Sequence, residues 1–182
     1  DLQATEVAGS AVVIIVSDDL TTLTSVTKTE LQVLYGVPGI TGTAPTGIST
    51  VVQRAEGSGT EETIAKYLTK GTTGGEKSNF DSFTISGNNG QVGNEGVLAA
   101  VASDTDAIGF VDWGYVANGV PAGVKVLAIV DGSETYTATS AHITNQLKKT
   151  GAHLSTPDAD GATHSGYVDG LVKHCYLITN GA

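Results

Sequence analysis

The chain has 182 residues, a length that suits one domain and allows about 70% of the unfolded surface to be buried. Nineteen Asp and Glu against nine Lys and Arg give a net charge of -10, which excludes binding to nucleic acid or to an anionic membrane through general electrostatic attraction. Charged residues make up only 15% and 24 residues are Gly, so the composition fits neither an acidic disordered tail nor a charged helical bundle. We therefore expect a single Gly- and Thr-rich domain of the α/β or β class over residues 1–182.

No stretch of the sequence is long enough to cross a membrane. The longest wholly apolar run covers residues 11–16, far short of the roughly 20 residues that a spanning helix needs. The chain opens on Asp1 instead of Met, so we expect that a preceding segment carried any export signal or membrane anchor. Cys175 is the single cysteine and cannot form a disulfide within the chain; we expect it to be a buried, small apolar side chain.

Strands and helices are predicted to alternate along the first third of the chain. The β-branched run 11–16 predicts a strand buried on both faces. Thr27 and Glu30 have the spacing of a capping box and Gly36 can end a helix, which predicts a helix over 27–36. The Pro-, Gly- and Thr-rich segment 38–47 predicts a loop, and the alternation over 48–53 predicts a strand that ends at Arg54.

The rest of the chain continues this alternation. After Arg54 the predicted elements are a helix beginning within 58–60, a long polar surface loop over 71–90 with a short strand or helix inside it, a helix over 94–102, strands over 107–111 and 124–130, a helix over 140–149, and an apolar segment at 176–178. Strands that alternate with helices predict an α/β fold, a three-layer sandwich with a mostly parallel mixed sheet.

The turn after the predicted strand 48–53 combines the groups that binding of an oxyanion requires. Within seven residues lie a guanidinium, two hydroxyls and two glycines, on Arg54, Gly57, Ser58, Gly59 and Thr60. A guanidinium supplies a fork of donors, hydroxyls are adjustable donors, glycines allow backbone N–H groups to come close, and a helix amino end adds partial positive charge. Glu56 would hold Arg54 in place by a salt bridge, because a carboxylate facing an anion directly would repel it.

A purely structural interpretation of the same residues stays open. Ser58 and Glu61 also have capping-box spacing, Gly57 and Gly59 can form a tight turn, and Arg54 can be a solvated strand end. The acidic residues Glu61 and Glu62 would in addition compete with a bound anion for the helix dipole.

Other chemistries are less well supported. A nucleophile elbow at Ser58 would need Gly at position 56, where Glu56 stands, so we do not expect an enzyme. The four histidines, His142, His153, His164 and His174, stand about ten residues apart and match no closed zinc pattern. Asp158 and Asp160 resemble the opening of a calcium loop whose remaining ligands are missing. No metal or cofactor is expected.

The turn from Arg54 to Thr60 and four further segments, in the same order along the chain, resemble the phosphate-binding proteins of bacterial and archaeal phosphate ABC transporters. The four segments are the run 11–16, the helix 27–36, the segment 93–97 and the segment 107–115, and the resemblance covers about residues 8–117. The family implies a bilobed binder that holds phosphate between two α/β lobes. Its second-lobe ligands would be Arg54, Ser58, Gly59 and Thr60, with Glu56 orienting Arg54 and Gly57 supporting the turn.

The chain also departs from that family. The first lobe, with its own phosphate loop and an Asp that accepts the phosphate proton, has no counterpart, and 174–179 resembles the place where the family's chain crosses back. The Trp and Asn usual after the first helix are replaced by 38–42. The resemblance is therefore to the second lobe only, with half of the phosphate donors missing.

The resemblance implies a function in oxyanion transport. We expect the chain to bind phosphate, outside the cell or in the periplasm, for delivery to an ABC permease, with a missing or separate N-terminal lobe as a further partner. The alternative is an interaction or scaffold module that keeps the fold but has lost ligand binding. Choice between phosphate, sulfate, molybdate and tungstate is left open by the sequence.

Overall fold

The computed structural model describes residues 2–150 and 166–180. Its elements in chain order are β1 (Leu2–Ser17), β2 (Ser25–Thr27), α1 (Lys28–Leu34), β3 (Thr50–Arg54), α2 (Gly59–Thr69), β4 (Asn88–Gln91), α3 (Gly93–Ala102), β5 (Ala107–Asp112), β6 (Val124–Val126), β7 (Ala128–Asp131), β8 (Glu134–Tyr136), α4 (Ser140–Thr150) and β9 (Val172–Asn180), with short 3-10 helices at Trp113–Tyr115 and Asp169–Leu171. Within these residues, no helix is long and apolar enough to span a membrane.

A six-stranded sheet in the order β4-β3-β5-β1-β6 forms the centre of the fold, and β9 pairs with the first half of β1. Strand β3 runs parallel to β4 and β5, whereas β1 is antiparallel to β5, β6 and β9. A smaller sheet has the order β2-β7-β8. The mixed α/β fold class is confirmed, although the strand directions are more evenly mixed than expected, because burial patterns indicate which strands are covered but not which way they run.

Helices cover both faces of the central sheet. On one face, Val97 and Val101 of α3 come so close to Gly109 of β5 that a Cβ there would lie 3.0–3.1 Å from their methyl groups. On the opposite face, the ring of Phe110 lies 5.9 Å from that of Tyr35, which follows α1. Helix α2 packs beside α1, since the Gln32 side-chain amide donates to the Leu68 carbonyl at 2.7 Å. This produces the predicted three layers.

The first helix begins and ends as its sequence predicts. Thr27 Oγ1 accepts from the Glu30 backbone at 3.1 Å, and Glu30 Oε2 accepts from the Thr27 backbone at 2.7 Å, which completes the capping box. Gly36 adopts φ +64°, and a Cβ there would lie 2.3 Å from the Thr84 carbonyl oxygen. Only glycine meets both requirements.

Two expectations are wrong. The predicted strand 124–130 is two strands in two sheets. The chain pairs with β1 as far as Leu127, whose N–H donates to the Ile14 carbonyl, and from Ala128 onward it pairs with β2. Cys175 is exposed, not buried. It lies on β9, where Tyr176 and Ile178 are also more than half exposed, because this end of β9 pairs only with β1 and projects beyond the core.

Candidate oxyanion-binding site

The predicted anion-binding turn lies at the carboxyl edge of the parallel strands. Strand β3 is followed by α2 on one face of the sheet, and β4 is followed by α3 on the other. The chain therefore leaves two adjacent parallel strands toward opposite faces of the sheet, and the carboxyl ends of such strands are where α/β folds commonly bind ligands. Arg54 is the last residue of β3, and Gly93 begins α3 directly after β4.

Arg54 is held by Glu56, as the sequence predicts. The Arg54 side chain is only 10% exposed, and its Nε donates to Glu56 Oε1 at 3.0 Å, with Nη2 donating to the same oxygen. The third nitrogen, Nη1, makes no hydrogen bond to any residue that the structure describes. The pair therefore fixes the guanidinium through one side and leaves a donor on the other.

Glu56 also binds the amino end of α3, a contact that local sequence does not predict. The Gly93 N–H donates to Glu56 Oε1 at 3.1 Å. Val92, the N-cap residue of α3, has no polar side chain, so Glu56 takes the place of a capping side chain from 37 residues away. The bonds from Arg54 and from the Gly93 amide lower the pKa of Glu56, which keeps this carboxylate charged.

Ser58, Gly59 and Thr60 open α2 and present several donors without partners. Ser58 Oγ caps the helix by accepting from Glu61 N–H at 3.1 Å, which leaves its own proton free to be donated. The N–H groups of Gly59 and Thr60 have no partner within residues 2–150 and 166–180, as expected for the first turn of a helix. The Thr60 hydroxyl likewise lacks a bond there, although Thr60 is only 5% exposed.

The two glycines of the turn are not required by its backbone. Gly57 and Gly59 do not have positive φ, and a Cβ at either would meet no atom within 4 Å. A structural turn glycine is normally held by a positive φ or by crowding. Neither applies here, so the tight-turn interpretation of these glycines is not supported.

Both carboxylates expected to compete with an anion at the amino end of α2 have other partners. Glu61 is 3% exposed, and its Oε1 accepts from the Phe80 N–H at 3.1 Å, so the capping box with Ser58 is only half formed. Glu62 pairs with Lys66 at 2.6 Å on the exposed side of the helix. Burial raises the pKa of Glu61.

The remaining candidates do not form a site among the described residues. His142 is exposed, with Nδ1 2.8 Å from the Thr137 carbonyl oxygen, and the His174 ring stacks on Tyr176. His153, His164, Asp158 and Asp160 lie outside the described residues. No group of three or more His, Cys, Asp or Glu that could hold a metal occurs in the described part of the chain.

Comparison with solved structures identifies the class of fold. A high-affinity periplasmic phosphate-binding protein (PfluDING) bound with phosphate has a TM-score of 0.63 at 20% identity, covering 98% of this chain and 57% of that one. A Clostridium perfringens protein classed as a phosphate ABC transporter substrate-binding protein, with bound phosphate, has a TM-score of 0.59 at 18% identity, covering 98% and 59%. PstS from Borrelia burgdorferi has a TM-score of 0.57 at 17% identity, covering 98% and 60%.

These likenesses show that the chain has the fold of phosphate-binding proteins. The chain spans less than two thirds of the length of each of these structures, in agreement with the resemblance to one lobe. Two of the proteins named above are a phosphate-binding protein and a phosphate ABC transporter substrate-binding protein, each with bound phosphate. No family model matches the sequence, and no curated protein does.

Proposed function

We propose that the chain binds inorganic phosphate or a similar oxyanion, without catalysis, as part of the solute-binding component of an ABC transporter. The ligand contacts would be Arg54, Ser58, Gly59 and Thr60, with Glu56 and Gly57 shaping the turn. The observation that carries the proposal is a set of donors on one turn that have no partner among the described residues: Arg54 Nη1, the first two amides of α2, and the Thr60 hydroxyl. Donors that converge at a helix amino end beside a guanidinium form a site suited to an anion.

The proposed mechanism is charge-assisted hydrogen bonding. The Arg54 guanidinium would supply the one full positive charge, and the amides and hydroxyls of the α2 amino end would supply oriented dipoles. Glu56 balances the Arg54 charge when the site is empty, from the side that Nε and Nη2 occupy. Such a site does not depend on the net field of the protein, so it can operate within a chain of charge -10.

The proposal includes a half-site. The solved structures of this fold are longer than this chain, and a first lobe, in the same or another polypeptide, would add donors and exclude water. We expect the 182-residue chain alone to bind phosphate weakly and to discriminate poorly between phosphate and sulfate, because the acceptor for a phosphate proton would belong to that first lobe. Export from the cytoplasm, to the periplasm or cell exterior, is part of the same proposal.

Isothermal calorimetry with phosphate tests the site. Arg54→Ala should weaken binding by about 10- to 100-fold, the effect of one or two hydrogen bonds to a charged group. Lys70→Ala is the matched control, since it removes an exposed positive charge at the other end of α2. Equal affinities for wild type and Arg54→Ala would reject the site assignment.

One observation favours the alternative of an interaction module that has lost ligand binding. Arg54 is nine-tenths buried and two of its three nitrogens already bond to Glu56, as in a purely structural ion pair. That alternative predicts no measurable heat with phosphate, sulfate, molybdate or tungstate at millimolar concentration, in wild type as well as in the variants.

A further inference from the structure

Hydrogen bonds to the first two residues of α3, Gly93 and Asn94, connect the candidate site with strand β5. Arg54 donates to Glu56, Glu56 accepts from Gly93 N–H, and the next residue, Asn94, accepts from the Asp112 backbone N–H at 3.1 Å through Oδ1. Asp112 is the last residue of β5, so the Asn94 side chain attaches the first turn of α3 to the neighbouring strand.

The far end of this series is firmly held. Asp112 Oδ1 accepts from Ser10 Oγ of β1 at 2.6 Å and from Gly114 N–H at 3.0 Å, and Oδ2 pairs with Lys173 of β9. Three strands of the central sheet therefore fix the residue to which Asn94 binds.

The ladder between β3 and β4 holds the chain in register with Arg54 as far as Gln91, whose carbonyl accepts from Ala55 N–H at 2.9 Å, but beyond Gln91 the amino end of α3 has no cap of its own. Its N-cap residue, Val92, offers no capping group and is 75% exposed. Gly93 has φ +73°, a conformation in which the chain turns sharply just before the helix. The direction of the Gly93 N–H therefore depends on where the first turn of α3 is attached.

We propose that Asn94 is a positioning residue for the oxyanion site, which acts through Gly93 and Glu56 on the direction of the Arg54 guanidinium. Asn94 fixes the Gly93 amide, the amide fixes Glu56 Oε1, and Glu56 sets the plane of Arg54. The proposal rests on the proposed function of the site, but its structural part can be measured without a ligand.

Hydrogen exchange in the ligand-free protein tests the structural part. Asn94→Ala should speed the exchange of both the Gly93 amide and the Arg54 Nε–H by about 3- to 10-fold, the effect of losing one hydrogen bond, while the Leu68 amide in α2 keeps its protection. Asn94→Asp, which keeps an acceptor oxygen, should retain the wild-type rates. Asn118→Ala, at an exposed position, is the matched control and should change neither proton.

A double-mutant cycle with phosphate tests the functional part. Asn94→Ala should weaken phosphate binding by about 3- to 10-fold in wild type but by less than about twofold in a Glu56→Gln background, because its effect passes through Glu56. Equal losses in the two backgrounds, or an unchanged Arg54 Nε–H exchange rate, would overturn the proposal. If wild type binds no phosphate at all, the proposed function fails, and the exchange rates alone decide whether Asn94 positions Arg54.

Discussion

Two ion pairs, Arg54–Glu56 and Lys173–Asp112, lie near the carboxyl ends of β3 and β5. They are built in a similar way but differ in how many of their polar atoms have partners. In each, one carboxylate oxygen accepts from a backbone amide, Gly93 in the first pair and Gly114 in the second. Asp112 is saturated, since Oδ1 also accepts from Ser10 and Oδ2 pairs with Lys173. Arg54 keeps a nitrogen without a partner among the described residues, beside a helix amino end whose donors are also free.

The difference separates a structural ion pair from one that can bind a ligand. A closed pair such as Lys173–Asp112 stabilises the fold by joining β9, β1 and β5. An incomplete pair next to unpaired donors is the arrangement that an anion can complete. The same comparison indicates which variants should change stability and which should change binding.

The largest expected effect is on phosphate affinity and comes from Arg54. The Arg54→Lys variant keeps the charge but replaces the fork with a single ammonium. We therefore expect it to lose most of the phosphate affinity that Arg54→Ala is predicted to lose, about tenfold or more. The free energy of unfolding should change by less than about 1 kcal/mol, because the Glu56 side chain is 40% exposed and the pair is partly solvated. Calorimetry and urea unfolding measure the two quantities. A large loss of stability with unchanged affinity would make Arg54 structural.

The next effect is on stability and comes from the closed pair. Lys173→Met should lower the free energy of unfolding by about 1–3 kcal/mol, because the variant leaves the half-buried Asp112 carboxylate without its cation. Phosphate affinity should stay within about twofold of wild type. Urea unfolding of the variant checks the first value, and an affinity loss comparable to that of Arg54→Ala would remove the distinction between the pairs.

The Lys173–Asp112 pair should also make the free energy of unfolding depend on pH in the acid range. Burial acts to raise the pKa of Asp112, but the hydrogen bonds from Lys173, Ser10 and Gly114 outweigh it and hold the pKa below its usual range. A carboxyl group with a lowered pKa in the folded state stabilises the protein above its unfolded pKa, about 3.9 for Asp, and loses this contribution as the pH falls through the folded value.

Unfolding free energies of wild type and Lys173→Met should therefore differ by a constant amount between about pH 5 and 7 and converge as the pH falls below about 4. Urea unfolding at a series of pH values measures this. A difference in unfolding free energy that persists unchanged at low pH would mean that Lys173 does not stabilise the protein through the Asp112 carboxylate.

The smallest expected change in stability comes from Gly59, where binding should nevertheless be affected. A Cβ at Gly59 meets no atom and φ is not positive, so Gly59→Ala should leave the free energy of unfolding unchanged or raise it by up to about 1 kcal/mol. In the ligand-bound state the methyl group would stand beside the α2 amides and weaken phosphate binding. Unchanged affinity would show that no ligand approaches this glycine.

Local patterns allowed most of the fold to be predicted. The capping box of Thr27 and Glu30, the end of α1 at Gly36 and the strand before Arg54 all depend on residues close in sequence, and all are confirmed. The division of the predicted strand 124–130 could not be predicted, because it depends on the pairing of its first half with β1 and of its second half with β2, both distant in sequence. The exposure of Cys175 likewise depends on how far β9 projects beyond the core.

The contacts of the candidate site were likewise only partly predictable from the sequence. The contact between Arg54 and Glu56 spans two residues and was predicted from charge and spacing. The contacts of Glu56 with Gly93 and of Asp112 with Asn94, Ser10 and Lys173 join residues 18 to 102 positions apart, and no local pattern encodes them. The one available signal was a glycine at the start of a helix that lacks a polar N-cap, which indicates that a distant group caps it.

The most direct test is a side-by-side phosphate titration of wild type, Arg54→Lys and Lys173→Met, with unfolding measured on the same samples. We predict that Arg54→Lys loses phosphate affinity by about tenfold or more while its free energy of unfolding changes by less than about 1 kcal/mol, and that Lys173→Met loses stability with affinity nearly intact. Loss of affinity in both variants, or in neither, would contradict the assignment of Arg54 to a ligand site.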